Sequence, residues 1–454
     1  MKYHDVLRYL YGLVDYERRR IDRYSAREFK LERVAGLLEK LGSPHDTYPT
    51  LHIAGTKGKG SVSSMMSAIA RASGLRTGLY VSPHLHTYRE RIQIDGHPIS
   101  RAAISDLVEE IQPVVETIPG LTTFEVTTAL AFLHFQRSGV DLGVMEVGLG
   151  GRLDATNVIT PEISIITSLS LDHTAILGDT LAKIAFEKAG IIKPHVPVVT
   201  SPQAGEALDV LRRVASERDA PLTVVGEDVG WEPLERTIRG QRLRVSHRAA
   251  PSGFDGDYDL ALLGDFQLEN ATSAVAAAAV LRRTGHAWAT PEAVRHALAT
   301  VTWPGRMEIL NESPPLVVDC AHNPYSAQTL VSSLEKWFPD TSWILLYGAS
   351  SDKDIRGMLA ALLPMCEHVI VTRSYHPRAA APYALADICA DLGKGAEIAV
   401  NPQRGLEQAS QRLRPGWGII ATGSIFIVAD TRETWAKDRR LDLPMGDWVD
   451  EPWE

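Results

Sequence analysis

The sequence predicts an α/β protein of two domains, a larger one built on a mostly parallel sheet with a phosphate loop and a smaller α/β domain after it. Three observations predict this. Short Val- and Ile-rich runs alternate with helical patterns along most of the 454 residues. Buried strands separated by helices form parallel sheets covered on both faces. A glycine- and lysine-rich segment, GTKGKGS (55–61), stands between one such run and a helical pattern. A Pro-Gly pair at 304–305 then marks a turn or linker, and a second strand–helix series follows it.

Taken in order, LERVAGLLEKLG (31–42) reads as a helical lead-in and LHIAG (51–55) as a strand. In SVSSMMSAIARAS, Val62, Met65, Met66 and Ile69 recur at three- and four-residue spacing, with Gly74 as the C-cap. RTGLYVS (76–82), DLGVMEV (141–147), EISIITSLS (162–170) and VPVVTS (196–201) read as further strands. RTIRGQRLRVSH (236–247) alternates around Gly240 like a hairpin, an antiparallel excursion. AVAAAAVL (274–281) is too short to span a membrane and reads as buried helix. The second series comprises PLVVDCA, SWILLYGAS, EHVIVTRS, AEIAVN and WGIIATGS, so the domains are placed at 1–300 and 301–454. RRLDLPMGDWVDEPWE (439–454) lacks periodicity and reads as a terminal arm.

Composition narrows the class without choosing a function. With 47 Lys+Arg against 56 Asp+Glu, the net charge of −9 gives no support to nucleic-acid binding by overall charge. Cys320, Cys366 and Cys389 form neither a disulfide framework nor a CxxC pair. The N-terminus lacks the apolar run of a signal peptide, and no membrane span is present. The expectation is a reduced, cytoplasmic enzyme with no nucleic-acid or membrane partner.

The chemistry-bearing residues cluster after strands. Glycines in Gly55–Ser61 let backbone N–H groups converge on phosphate oxygens, and a helix N-terminus adds positive potential. The match to GxxxxGK[ST] is imperfect, because Ile53 stands at the first glycine position and Gly60 separates Lys59 from Ser61. Lys57 and Lys59 therefore compete for the phosphate role. Glu146 ends a strand before the glycine-rich GLGGRLDATN, at the sheet edge where ligands bind in such folds. There it either holds Mg²⁺ or pairs with Arg152 or a helix end. Asp172-His173 follows the next strand. A structural hydrogen bond explains such a pair as well as a ligand role does, since Mg²⁺ prefers oxygen. Lys188, in FEKAGIIK, reads by itself as a helix-surface lysine.

Together these segments resemble the folylpolyglutamate synthase/dihydrofolate synthase family of the Mur ligase superfamily. The resemblance runs through GTKGKGS, SPHLHTYRERI (82–92), TTFEVTTALAF (122–132), MEVGLGGRLDATN (145–157), LDHTAILGDT (171–180), EKAGIIK (187–193), WPGRMEI (303–309), VVDCAHNP (317–324) and GASSDKD (348–354). It implies a P-loop ATPase domain and a Rossmann-like glutamate ligase domain. It implies ATP contacts from Thr56, Lys57, Gly58, Lys59, Gly60 and Ser61, with Lys59 on the β/γ-phosphates, and from Asn270, Arg306 and Asp319 on the nucleoside side. Mg²⁺ would be held by Ser61, Ser82, Glu146 and His173, and Lys188 would be carbamylated. The pterin substrate would meet Ser82, Thr122, Thr123, Phe124, Glu125, Leu153, Asp154 and Ala155, with Phe124 packing on the ring. Lys59, Glu146, His173, Lys188 and His322 would be catalytic, and the family precedent is a monomer.

The activity so implied is ATP-dependent ligation of L-glutamate to dihydropteroate, to reduced folates, or to both, through an acyl phosphate. Two rival readings fit less of the chain. A peptidoglycan Mur ligase carries a complete UDP-binding domain ahead of the loop, whereas 54 residues precede Gly55 here. A P-loop switch or other nucleotide-binding module has no need of the second domain with Asp319 and His322 after a strand. The TTFE and LDA segments resemble those of members that take dihydropteroate, so the reading leans to both activities over chain extension alone.

Overall fold

In the computed structural model, residues 1–14, 30–441, 443, 446 and 447 are described, so most of the arm expected over 439–454 lies outside the described residues. The first sheet has eight strands, in the order His97–Pro98, Ile92–Ile94, Thr77–Tyr80, Leu142–Glu146, Thr50–Ala54, Ile163–Ile166, Val198–Thr200 and Leu222–Val224. The last six run parallel, and the first two form an antiparallel edge. The strand Thr50–Ala54 is central and buried at every residue, which is why its sequence is continuous rather than alternating.

Helix Lys59–Ala72 leaves the end of that strand and buries Val62, Met65, Met66 and Ile69 against the sheet. Helix Asp265–Arg283 contains the alanine-rich run and packs into the same core. Its small side chains let it lie close to the helix of the phosphate loop. Among the described residues no helix is long and apolar enough to cross a membrane. On the other face, helix Thr123–Arg137 buries Phe132 and Phe135 beside Leu10, Leu37 and Leu38 of the N-terminal helices.

The hairpin expected at 236–247 belongs to a three-stranded antiparallel sheet, Val229–Thr237, Gly240–His247 and Gly256–Leu260. Gln241, Leu243 and Val245 point inward while Arg242 and Arg244 face outward, as a half-buried strand requires.

A six-stranded sheet follows, in the order Glu308–Glu312, Pro315–Asp319, Trp417–Thr422, Ser342–Tyr347, Cys366–Val371 and Glu397–Ile398. Its first strand is antiparallel and the others parallel. The carboxyl end of Pro315–Asp319 carries Asp319 and His322 toward the phosphate loop of the first sheet.

Candidate active site

The loop 55–58 approaches its neighbours too closely for any side chain but hydrogen. A Cβ at Gly55 would lie 1.8 Å from Thr167 Oγ1, and one at Gly58 (φ +88°) would lie 2.3 Å from Asn270 Oδ1. The Thr56 and Lys57 N–H groups donate to Ser168 O at 3.0 and 3.1 Å, fixing the loop on the neighbouring strand's exit. Thr56 Oγ1 donates to Ser170 O at 3.2 Å. Lys59, Gly60 and Ser61 form the first turn of the following helix. Gln267 donates to Ser61 Oγ at 3.2 Å and accepts from Asn270 at 2.9 Å, so the nucleoside-side asparagine and the loop share one network.

The two lysines separate. Lys57 Nζ donates to Asp172 Oδ2 at 3.0 Å and to His322 Nε2 at 2.8 Å, bridging the two sheets. His322 Nδ1 donates to Cys320 O at 2.9 Å, which leaves Nε2 as the acceptor. Lys57 beside it, together with burial, pushes the His322 imidazole down to about 4. Asp172 also receives Asn323 Nδ2 at 3.2 Å and lies 3.8 Å from Lys353 Nζ. Burial pushes its carboxyl up, but His322, Lys57, His173 and Lys353 outweigh this and hold it well below the usual carboxylate range.

Glu146 is buried and accepts the Ser82 N–H at 3.2 Å. Burial pushes its carboxyl up to about 7, against the pull of Lys59 and Arg306. A buried carboxylate facing two cations, with the Ser61 and Ser82 hydroxyls, offers the oxygen donors Mg²⁺ prefers. His173 is a weaker fit: its side chain is 45% exposed and opens a short helix with φ +50°. Among the described residues no cluster of three or more His, Cys, Asp or Glu side chains is gathered for a metal.

Lys188 is not the surface lysine its helix alone suggests. It is buried, donates to Gly55 O at 2.8 Å, and is pushed down to about 7 by burial and then by Lys59. The close approach of two glycines produces this. A Cβ at Gly190 would lie 2.3 Å from Arg152 Cα, and one at Gly151 would lie 2.9 Å from Glu187 O. Arg152 donates to Glu187 through Nε and Nη2 at 3.1 and 2.9 Å, so the arginine pairs with Glu187 and not with Glu146.

The segments expected to meet the pterin are mostly tied into the fold. Thr122 and Glu125 form a reciprocal capping box, Glu125 also accepts Arg33 at 3.0 Å, and Thr123 Oγ1 donates to Leu10 O. Asp154 accepts the Gly148, Leu149 and Thr156 N–H groups. Ala155 is buried in the core beneath them. Phe124 is partly buried, lies 5.9 Å from the Tyr80 ring centroid, and abuts Gly148, where a Cβ would come within 2.6 Å. Of these residues, Phe124 presents a ring beside the glycine loop rather than a polar group to it.

In the second domain, Asp319 accepts the Met307 and Ala321 N–H groups at 2.8 Å each and stands beside half-buried Arg306. Arg306 therefore lies between Asp319 of its own sheet and Glu146 of the other, at the cleft. Sequence reasoning passed over Asp172 as the hub of the cleft, and over Lys353 and Gln267. The signal for Asp172 was its place after the strand beside the phosphate loop. Lys353 stands in GASSDKD (348–354), where no local pattern marks it.

A phosphate loop on a parallel sheet, facing a second α/β domain across a cleft lined with cations, defines a Mur-type ATP-dependent ligase. Residues 53–278 match the Mur ligase middle domain and 305–425 the Mur ligase glutamate ligase domain. The dihydrofolate synthase/folylpolyglutamate synthase of Mycobacterium tuberculosis is 39% identical over 377 residues, 78% of this chain and 76% of that one. A Haloferax volcanii relative, named as a bifunctional folylpolyglutamate synthase/dihydropteroate synthase, is 36% identical over 96% of this chain, which spans 51% of that longer protein. The M. tuberculosis folylpolyglutamate synthase structure with ADP and AMPPCP superposes with a TM-score of 0.82 at 36% identity, covering 90% of this chain and 96% of that one. The chain belongs to the folylpolyglutamate synthase/dihydrofolate synthase family.

Proposed function

We propose that the protein ligates L-glutamate to dihydropteroate, and to the γ-carboxyl of reduced folates, using ATP and releasing ADP and phosphate. The observation that carries this reading is the cleft itself. Lys59 at the loop, Glu146 and Ser82 on one side and Arg306, Asp319 and His322 on the other converge between two family-matched domains.

A carboxylate is a poor acylating agent because oxide is a poor leaving group. Its oxygen attacks the γ-phosphorus, ADP departs, and the acyl phosphate so formed is attacked by glutamate's amine with loss of phosphate. The chain's part is positioning and charge neutralisation. Gly58, Lys59 and Gly60 hold the phosphates by backbone N–H groups, Thr56 and Lys57 brace the loop on Ser168 O, and Lys59 meets the charge developing on the β/γ-oxygens. Asn270, Arg306 and Asp319 hold the nucleoside, and closing the second domain keeps water from the acyl phosphate. Ser61, Ser82, Glu146 and His173 are the proposed holders of Mg²⁺, which when bound neutralises phosphate charge. Lys188, whose lowered basicity favours the neutral amine that reacts with CO₂, is the proposed carbamate. Phe124 and Leu153 are proposed to meet the pterin, with Thr122, Thr123, Glu125, Asp154 and Ala155 shaping that wall. The 1–300 domain holds ATP and the 301–454 domain the incoming glutamate, in a monomer.

The lean to both acceptors, made on the TTFE and LDA segments, is supported by the M. tuberculosis relative, whose name carries both activities. An ADP-release assay tests the reading. Release in the wild type should need both the pterin acid and glutamate, and Lys59→Ala should abolish it. Wild-type turnover in that variant, or release indifferent to glutamate, contradicts it.

A further inference from the structure

The segment 82–87 begins at Ser82, beside Glu146, and ends inside the second domain. Leu85 is buried in the same cluster as Val318, Cys320 and Val428 of the six-stranded domain. The Leu85, His86 and Thr87 N–H groups all donate to Glu90, which makes the segment a stiff turn. His86 is 2% exposed, and its Nδ1 donates to Glu433 Oε1 at 2.8 Å. Its Nε2 accepts from Arg432 Nη1.

Arg432 is itself 5% exposed and has a second partner. Its Nη2 donates to Glu308 Oε1 at 3.0 Å, and its Nε lies 2.8 Å from Glu308 Oε2. Glu308 Oε2 in turn accepts the Gly305 N–H at 2.8 Å, fixing the turn whose next residue is Arg306. One buried guanidinium thus joins the turn that carries Ser82 to the turn that carries Arg306, the two opposite edges of the cleft. No motif in the sequence singles it out. A planar fork can hold two partners at fixed angles, which an ammonium cannot.

We propose that Arg432 is a positioning residue, coupling the His86 turn to the Glu308–Arg306 turn so that both edges of the cleft are in register when the second domain is seated. This rests on the ligase reading for its kinetic consequence but not for the coupling itself. Arg432 reaches neither ATP nor the acceptor; it acts through Ser82 and Arg306. Misplacing either by about an ångström costs on the order of 100-fold in rate.

The experiment compares wild type, Arg432→Lys, Arg432→Met and the paired variant Arg432→Met/Glu308→Gln, which leaves no orphaned charge on Glu308. Each is measured for kcat per folded molecule, KM for ATP and for the pterin acid, and amide hydrogen exchange over 82–91 and 304–308. The expected result is a kcat loss of about 10- to 100-fold in all three. Faster exchange is expected in both segments together, and the paired variant should recover melting temperature without recovering kcat. A purely structural role predicts that the paired variant recovers both, and that result overturns the proposal. So does exchange that quickens in only one segment. If the wild type itself shows no glutamate-dependent turnover, the ligase reading fails while the exchange data still decide the coupling.

Discussion

At the residue scale, the phosphate loop is the place where chemistry leaves least freedom. Gly58 has φ +88° with Asn270 Oδ1 where a Cβ would stand. Gly58→Ala should therefore weaken ATP binding at least about tenfold, measured by titration calorimetry, since the loop must shift to admit the methyl group. His52 gives a second test. It is fully buried in the central strand, its Nε2 donates to Thr156 Oγ1 at 2.8 Å, and burial pushes it down to about 3. The unfolded chain takes up this proton near pH 6.5 and the folded one only near 3, so the unfolded state binds more protons between those values. The contribution of His52 to stability must fall as the pH drops through that window. In urea melts, the wild type should lose stability relative to His52→Leu by about 1.4 kcal/mol per pH unit below 6. A difference that stays flat between pH 6 and 4 contradicts it.

At the scale of elements, the capping box at Thr122 and Glu125 starts the helix that covers one face of the first sheet. Thr122→Ala removes the side-chain acceptor of Glu125 N–H and should cost about 1 kcal/mol, while Thr122→Ser keeps it. If Thr122 also meets the pterin by its hydroxyl, the alanine variant raises that KM and the serine variant does not. The helix 181–189 makes a different case. Lys188→Ala should lower turnover sharply, and added acetate should restore part of it by replacing the carboxylate of the proposed carbamate. Much of this level was legible in the sequence. The Val- and Ile-rich runs beginning at Leu51, Leu142 and Ile163 became neighbouring parallel strands, because continuous apolar runs bounded by turns have few other uses. The strand Ile92–Ile94 and its partner His97–Pro98 were not legible, being only three and two residues long. The burial of Lys188 was hidden because it depends on Gly151 and Gly190 bringing a loop against its helix.

At the scale of the whole molecule, the two domains meet through polar groups, the inserted turn at Leu85, and Leu263 and Phe266, which pack against the core of the six-stranded domain. Asp172 gathers Lys57, Asn323 and Lys353 at that junction, partners 115, 151 and 181 residues away in sequence. Contacts at such separations leave no local pattern, so the sequence could show Asp172 after a strand but not its partners. Removing the carboxylate leaves buried cations facing one another. Asp172→Asn should cost about 3 kcal/mol and split the calorimetric melt toward two separate transitions. A single unchanged transition would mean that the apolar contacts of Leu85, Leu263 and Phe266 hold the domains without it. The −9 charge belongs to this scale too. It does not attract anionic substrates, so their binding falls to Lys59 and Arg306 within the cleft, Lys57 being engaged by Asp172.

The central claim is that these two domains together join glutamate to a pterin acid at the cost of ATP. It is tested most directly by mass spectrometry of the products when dihydropteroate and tetrahydrofolate are offered separately with glutamate and ATP. The account predicts that each gains glutamate, one ADP per residue added, and that Lys59→Ala adds none. ATP consumed with neither acceptor lengthened would contradict it.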